Sequence, residues 1–312
     1  MKYFLHLSLL ATLAMLTTAC GPESDASSNG DAKATTVALS DGQDSFKEYW
    51  YNGKAEINSY RLEQARYGEM RQGEAVLIFV TEPFSRSKQV KLDNGSANPK
   101  DNVSVLKCNA TRNFITGIYP YSTMQSIFTP VELKQYPNSL KTATSLQEWC
   151  GHTYLQLNLD NNKYKVSGHS YFESEGDEAY KLPKAMLEDE VFNRIRINPK
   201  SLPTGSVDMI PSTLFTRLKH TPFQSFPANA SMKEEDKEMM VYTVDYPKLR
   251  RQLKVRFNKD FPHDILSWEE TYPSGYGGAL MTTKATRKEK TMLDYWQKNS
   301  TADENWRIKL RL

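Results

Sequence analysis

Residues 55–81 read AEINSYRLEQARYGEMRQGEAVLIFVT, and this stretch decides the fold. Over Ala55–Tyr67, Ile57, Ser59, Arg61 and Glu63 alternate with Asn58, Tyr60, Leu62 and Gln64. That is the period of a strand, whose successive side chains point to opposite faces. The alternation is imperfect, with polar residues on both faces. Gly68 and Gly73 bracket a reversal, and the apolar run Glu74–Thr81 follows as a second strand, stopped by Pro83. The two form a β-hairpin.

The same pattern spreads outward from this hairpin. Upstream, Ser45 and Glu48 have capping-box spacing for a short helix through Trp50, and Asn52-Gly53 makes a tight turn. Downstream, residues 103–110, 122–131, 140–149, 153–159 and 163–172 are strand-like, with Asp160-Asn161-Asn162 as a hairpin tip. The period then changes. Met186, Leu187, Val191 and Ile195 recur at near-helical spacing around Glu188, Asp189 and Glu190, and Asn198-Pro199 closes that helix. A second short helix starts at Pro211 and carries Leu214, Phe215 and Leu218. Strands return at residues 240–244, 252–257, 265–272 and 280–290. At the end of the chain Trp306, Ile308, Leu310 and Leu312 alternate with Arg307, Lys309 and Arg311, which reads as a closing strand. The expected class is mainly β: one large curved antiparallel sheet of about ten strands, half-barrel or barrel-like, with a few short helices. Residues 45–312 form a single domain on this reading.

The first residues carry an address. Lys2 precedes an apolar run, Leu7–Leu16, of signal-peptide length and too short to span a bilayer comfortably. Small residues then lead to Cys20. This resembles the lipobox of bacterial lipoproteins, with Thr17 where that pattern has leucine and Leu16 one step further back. The resemblance implies that residues 1–19 are a signal peptide and that Cys20 is acylated, a durable anchor at about 0.8 kcal/mol per buried methylene. Gly21 stands where an aspartate marks retention at the inner membrane, so the resemblance implies the outer membrane, facing the periplasm. Gly21–Asp44 is rich in Ser, Ala, Gly and Asp and has no aromatic residue, the composition of a flexible tether.

Charge narrows the partners. The net charge of +3 over 312 residues is too small to imply a nucleic acid. From Val241 onward there are 14 Lys/Arg against 9 Asp/Glu, a basic far end that suits anionic headgroups or a solvated surface. An exported compartment permits disulfides, so Cys108 and Cys150 either pair or remain separate buried thiols.

Four stretches carry a wider resemblance: residues 45–85, 116–126 (TGIYPYSTMQS), 146–157 (LQEWCGHTYLQL) and 197–205 (INPKSLPTG). They are similar to an uncharacterised family of exported bacterial lipoproteins. Relatives sometimes labelled Maf septum-formation inhibitors belong to it, although the Ser-x-Ser-x-Arg-Arg start of true Maf proteins is absent here. More loosely, the strand succession resembles periplasmic half-barrels such as lipoprotein carriers of the LolA type. That likeness implies a concave sheet over an acyl chain, with residues 186–197 as a lid.

Chemical motifs fail on physical grounds. Trp149-Cys150-Gly151-His152 resembles the disulfide-isomerase site, but Thr153 replaces the resolving cysteine and the following residues alternate as a strand. Ser85-x-x-Lys88 and Ser104-x-x-Lys107 match the acyl-enzyme pattern without a helix start or a Lys-Thr-Gly. His152, His169, His220 and His263 lack ligand spacing, Lys163 replaces the glycine of a calcium loop, and Glu269 and Glu270 point to opposite faces of a strand. No metal or cofactor is implied. Tyr119, Tyr121, Tyr272 and Tyr276 lie in expected loops as ligand or partner contacts, or as aromatic plugs at sheet ends. The favoured reading is a membrane-anchored, non-enzymatic binding module for an apolar or lipid-like ligand. The alternatives are a structural or protein-interaction module at the outer membrane, and an envelope hydrolase or redox enzyme with an unrecognised site.

Overall fold

The computed structural model describes residues 41–312. The expected signal peptide, Cys20 and the expected tether as far as residue 40 lie outside the described residues. A helix, α1 (Asp41–Trp50), opens the described chain. It begins four residues before the expected Ser45 start and takes in the last residues of the expected tether.

Among the described residues fifteen strands form one continuous sheet. The chain starts in the middle of it and runs outward through β1 (Ala55–Arg66), β2 (Glu69–Ser85), β3 (Asn102–Thr116), β4 (Tyr119–Pro130), β5 (Lys141–Glu148), β6 (Gly151–Asp160), β7 (Lys163–Ser170) and β8 (Asp177–Pro183). It then crosses to the opposite edge as the short β9 (Met186–Leu187). From there it works back through β10 (Gly205–Ile210), β11 (Phe226–Glu234), β12 (Met239–Tyr246), β13 (Arg251–Asn258), β14 (Ile265–Ser274) and β15 (Ala279–Leu293). β15 pairs antiparallel with β1 and joins the two meanders. Only β9 and β10 are parallel. The edge strands β8 and β9 are chain neighbours but share no ladder, so the sheet curls without closing.

The hairpin that opened the reading is present, with Glu56 opposite Phe79 and Arg66 opposite Glu69. β2 does not stop at Pro83. By then β1 has ended, and the prolyl nitrogen faces the side β1 no longer occupies. There the Pro83 carbonyl accepts the Leu92 N–H at 2.9 Å, and no ladder bond is lost. The count exceeds the expected ten because β8, β9, β10 and β11 add to it; these strands are short or carry small inward residues, such as Ala228 and Ala230 of β11, so their alternation is weak. They lie toward the open edges, where one flank needs less burial.

The inner face of β1 is Glu56, Asn58, Tyr60, Leu62 and Gln64, all buried. This explains the imperfect alternation: polar side chains face inward. Two helices occupy the interior. α2 (Val191–Ile197), preceded by a 3-10 turn at Glu188–Glu190, fills the end where β1 begins. α3 (Thr213–Lys219) fills the other end, with residues Thr213–Leu218 all buried. The expected lid is therefore a plug, and the concavity that an acyl chain would need holds protein side chains instead.

The expected closing strand is not a strand. Thr301–Glu304 is a 3-10 turn and Asn305–Lys309 is a helix, α4. β15 has already taken the free flank of β1, so no edge remains for a last strand there. Trp306 and Leu310 also have helical i, i+4 spacing, and a short apolar run carries both periods. Both pack with Leu312 on the outer face of the sheet, against Ile57, Val76, Ile78 and Leu293.

Candidate functional site

The interior is cross-linked by charge. Arg251 on β13 donates through Nη2 to Oε1 of Glu188 and through Nε to Oε2 at 3.3 Å. Its Nη1 lies 3.6 Å from Oε2 of Glu270 on β14, and Glu270 accepts from Arg112 of β3 at 2.5 Å. Arg196 of α2 donates to Glu56 at 2.5 Å and to Asp264 at 3.2 Å. Asp264 also takes Arg287 at 3.0 Å and Lys290 at 2.7 Å. Asp189 accepts from Thr213 Oγ1 at 2.6 Å and Gln125 at 2.9 Å, and Glu190 accepts from Ser139 Oγ at 2.6 Å. Asn193 donates to the Leu106 carbonyl at 2.9 Å. The cations facing these buried carboxylates are mainly arginines, whose planar fork suits bidentate pairing inside a protein. Burial alone would push the Glu270 carboxyl up, but Arg112 and Arg251 outweigh it and hold it below its usual range. Burial pushes Asp189 up despite its hydrogen-bond donors. The network joins the plug to both meanders, and every carboxylate in it has a protein partner, although Arg112 Nη1, Arg196 Nε, Arg251 Nη1 and Asn193 Oδ1 are buried without a hydrogen bond. Charges paired inside the fold in this way suit a structural role.

The chain reverses at two ends. One end gathers α1, the β2–β3 connection and the tip between β6 and β7. The other gathers the tips Tyr67-Gly68, Gly117-Ile118, Trp149-Cys150 and Gly275–Gly278, together with the β7–β8 loop at residues 171–176. Two of these tips touch backbone to backbone: a Cβ on Gly275 would lie 2.9 Å from the Gly68 Cα. Gly68 and Gly275 also hold positive φ, so glycine serves both the turn and the close approach.

Exposed apolar groups concentrate on this second end. Tyr67 is half exposed, Ile118 is 81% exposed, Trp149 is 69% exposed, and Tyr171 and Tyr276 stand out in solvent. They continue an aromatic ladder that starts in the core. Phe114 stacks on Tyr121 at 4.9 Å between centroids, Tyr121 lies 5.9 Å from Tyr119, and Tyr119 lies 6.4 Å from Trp149. The Arg66 guanidinium sits 4.2 Å from the Tyr67 ring centroid and 5.2 Å from that of Tyr121, and donates to both hydroxyls at 3.1 Å. Between the tips is a shallow cleft of about 330 Å³ bordered by Tyr67, Phe172, Lys219, His220 and Tyr276.

The four tyrosines singled out from the sequence therefore divide. Tyr276 is a fully exposed tip residue and Tyr119 a half-buried one at the mouth. Tyr121 and Tyr272 are core residues on strands, not loop contacts. Tyr272 donates to the Ala65 carbonyl at 2.9 Å and accepts from Gln64 at 2.8 Å, which plugs the sheet end. Of the two readings of Cys108 and Cys150, a pair or two buried thiols, neither holds in full. Both thiols are free, Cys108 buried on β3 and Cys150 exposed in the β5–β6 turn. The β5 residue in the row of Cys108 is Thr142, eight residues before Cys150. That separates them by about 25 Å along the strands, far beyond disulfide reach.

The remaining motifs resolve into local structure. His169 pairs with Asp177 at 3.2 Å and His220 with Glu175 at 2.7 Å. Ser85 accepts the Lys88 N–H within a turn, and Lys107 pairs with Glu82 at 2.5 Å across β2 and β3. Glu270 faces inward while Glu269 faces outward toward Arg256 at 2.9 Å. Among the described residues no group of three or more His, Cys, Asp or Glu is placed to hold a metal.

Trp149 entered the sequence reading only through its redox-like motif, and Ile118 and Tyr171 were missed. The signal was a large apolar residue at or beside a turn, where polar residues are usual.

No family model and no curated protein matches the chain. Among solved structures it is similar to a beta-barrel-like protein of domain of unknown function DUF1849 from Brucella abortus, at 8% identity and a TM-score of 0.46, over 77% of this chain and 98% of that one.

Proposed function

We propose that this protein is an exported, lipid-anchored envelope lipoprotein that acts by binding, and that its binding surface is the aromatic end of the curled sheet. The observation that carries this reading is the convergence of Tyr67, Ile118, Trp149, Tyr171 and Tyr276 on one end. Aromatic side chains on short hairpin turns offer large contact area at small entropic cost. Exposed apolar groups gathered in one place mark interaction sites, whereas scattered ones need no explanation.

The filled interior argues for a partner that docks on the rim over an acyl chain held under the sheet. Aromatic anchors on short, rigid turns suit a protein of the envelope as that partner. The lipid anchor rests on the resemblance around Cys20.

Two measurements test this. Metabolic labelling with a fatty-acid analogue should mark Cys20, and an unlabelled Cys20 removes the anchor. A photoreactive residue placed at Tyr276 or Ile118 in cells should give one discrete protein adduct that the same residue at Lys233 does not. Trp149→Ser with Tyr171→Ser should abolish that adduct without moving the melting temperature. Adducts to lipid alone would restore the apolar-ligand reading, and equal adducts from all three positions would refute a rim site.

A further inference from the structure

The other end of the molecule carries a second, chemically different cleft. The long connection between β2 and β3 folds back over the outer face and reaches β5 and β6. There Gln89, buried and at a φ of +53°, is locked by three neighbours. Its amide nitrogen donates to the Leu159 carbonyl at 2.5 Å, and its side-chain oxygen accepts from Asn158 at 2.6 Å. Lys141 donates to its backbone carbonyl at 3.3 Å. Gln156 extends this chain of amides by donating to Asn158 at 2.6 Å. The result is a rigid polar floor under an open cleft of about 740 Å³.

The walls of this cleft are cationic. Arg86, Lys88, Lys141 and Lys165 line it, against one carboxylate, Asp160. Asp160 is already shared between Lys165 at 3.1 Å and Lys181 at 3.7 Å. Asp101, on the same connection, is occupied by Ser85 at 2.5 Å and by the Ser87 N–H at 2.8 Å. Among the described residues Lys88 and Lys141 have no carboxylate partner, whereas the Ser85 hydroxyl, together with Arg86, holds the Asp101 carboxyl below its usual range. Burial pushes the Lys141 ammonium below its usual range, with no carboxylate to offset it. Lys107 and Lys290 elsewhere in the fold are paired with acids, Glu82 and Asp264, although among the described residues Lys219 and Lys254 are not. Four cations line one cleft against a single carboxylate, and Lys88 and Lys141 have no acidic partner, which makes the cleft a site for an anion supplied from outside.

We infer that the cleft formed by Arg86, Lys88, Lys141 and Lys165 over the Gln89–Asn158 floor binds a phosphate ester. Lysine ammoniums and amide N–H groups suit a compact multivalent oxyanion better than a single carboxylate. The volume accommodates a diphosphate or a headgroup-sized ester. The cleft shares its end of the sheet with α1, where the Tyr51 hydroxyl meets Ser104 at 2.8 Å. A lipid headgroup as the source rests on the proposed anchor at Cys20, while phosphate recognition itself does not.

Lysine footprinting of the full lipidated chain in nanodiscs separates these. The acylation rates of Lys141 and Lys88 are read by mass spectrometry against exposed Lys233. Inorganic pyrophosphate added to phosphatidylcholine discs should slow both at least about five-fold relative to Lys233, the effect of roughly one cation–phosphate contact. Protection by phosphatidylglycerol discs without pyrophosphate identifies a headgroup, and protection by pyrophosphate alone identifies a soluble phosphate compound. Arg86→Gln with Lys165→Gln should remove most of the protection at Lys141 while the melting temperature holds. The inference is overturned if neither probe changes the Lys141 to Lys233 ratio, if Lys233 is protected equally, or if the folded double variant protects as well as the native chain.

Discussion

Replacing Arg196 by Met tests the idea that the plug is held by charge as well as by packing. Arg196 is fully buried, pairs with Glu56 at 2.5 Å and Asp264 at 3.2 Å, and stacks 5.2 Å from the Trp50 ring and 5.4 Å from that of Phe79. Methionine keeps much of the volume and the ring contacts, so the loss is mainly electrostatic. Asp264 retains Lys290 and Arg287. Glu56 has no such reserve. It is fully buried and keeps only neutral donors, Asn58 at 2.8 Å and the Tyr49 hydroxyl. Breaking a buried pair from one side costs about 3–5 kcal/mol, because the other charge stays desolvated. For a domain of this size that lowers the melting temperature by roughly 10 °C. Adding Glu56→Gln removes the stranded charge and should return the cost to below about 2 kcal/mol; since Glu56→Gln alone also breaks the pair at a cost, the coupling in a double-mutant cycle should be at least about 2 kcal/mol. Urea unfolding at neutral pH reads all four corners of the cycle. A single-variant cost under about 1 kcal/mol, or a double variant at the sum of the two singles, would refute the reasoning.

The C-terminal helix gives a sharp comparison. Leu310 is 6% exposed and Ile308 is 73% exposed, so Leu310→Ala should cost about 2–3 kcal/mol and Ile308→Ala less than about 0.5 kcal/mol; equal costs in chemical denaturation would instead indicate a strand with both residues on one face. In the native state a maleimide should label Cys150 and leave Cys108 intact until denaturant is added, because burial pushes the Cys108 thiol up and shields it. Peptide mapping checks this, and a Cys108–Cys150 cross-linked peptide would contradict it. For acid sensitivity, burial would raise the Asp264 carboxyl, but Lys290 and Arg196 hold it below the usual range. A depressed folded pKa adds stability above the unfolded carboxylate range that is lost as pH falls through the folded value. The destabilisation caused by Asp264→Asn should therefore shrink as pH is lowered, as read by urea midpoints at a series of pH values. A constant difference down to strong acid would show that Asp264 contributes no charge.

Much of the sheet was legible in the sequence for a local reason. A strand with one face inward writes its period into the chain, so the β1–β2 hairpin, the Asp160–Lys163 tip and the last strands before Leu293 could be read without knowing their neighbours. β8 at one edge, and β10 and β11 near the other, were not legible, because they are short or their inward positions hold small residues such as Ala228 and Ala230. The candidate sites were less legible still. Tyr276 stood out beside its glycines, but Tyr121 and Tyr272 looked like loop residues, although cross-strand neighbours bury them. The phosphate cleft joins Arg86 and Lys88 to Lys141 and Lys165, residues brought together only when a connection folds across two intervening strands.

By itself, then, the sequence determined the mainly β class, the β1–β2 hairpin and the imperfect alternation of β1, with polar residues on both faces. The tertiary structure decided what the inward polar groups are for. Glu56 and Arg196 are 140 residues apart, and so are invisible to any periodicity, yet they meet inside the curl. Tertiary structure also decided that the last apolar run is a helix. Trp306 and Leu310 satisfy strand and helix spacing alike, and β15 had already taken the flank of β1 that a closing strand would need. Local pattern sets which face of an element is apolar, and the competition for unpaired edges and buried partners sets where that face goes.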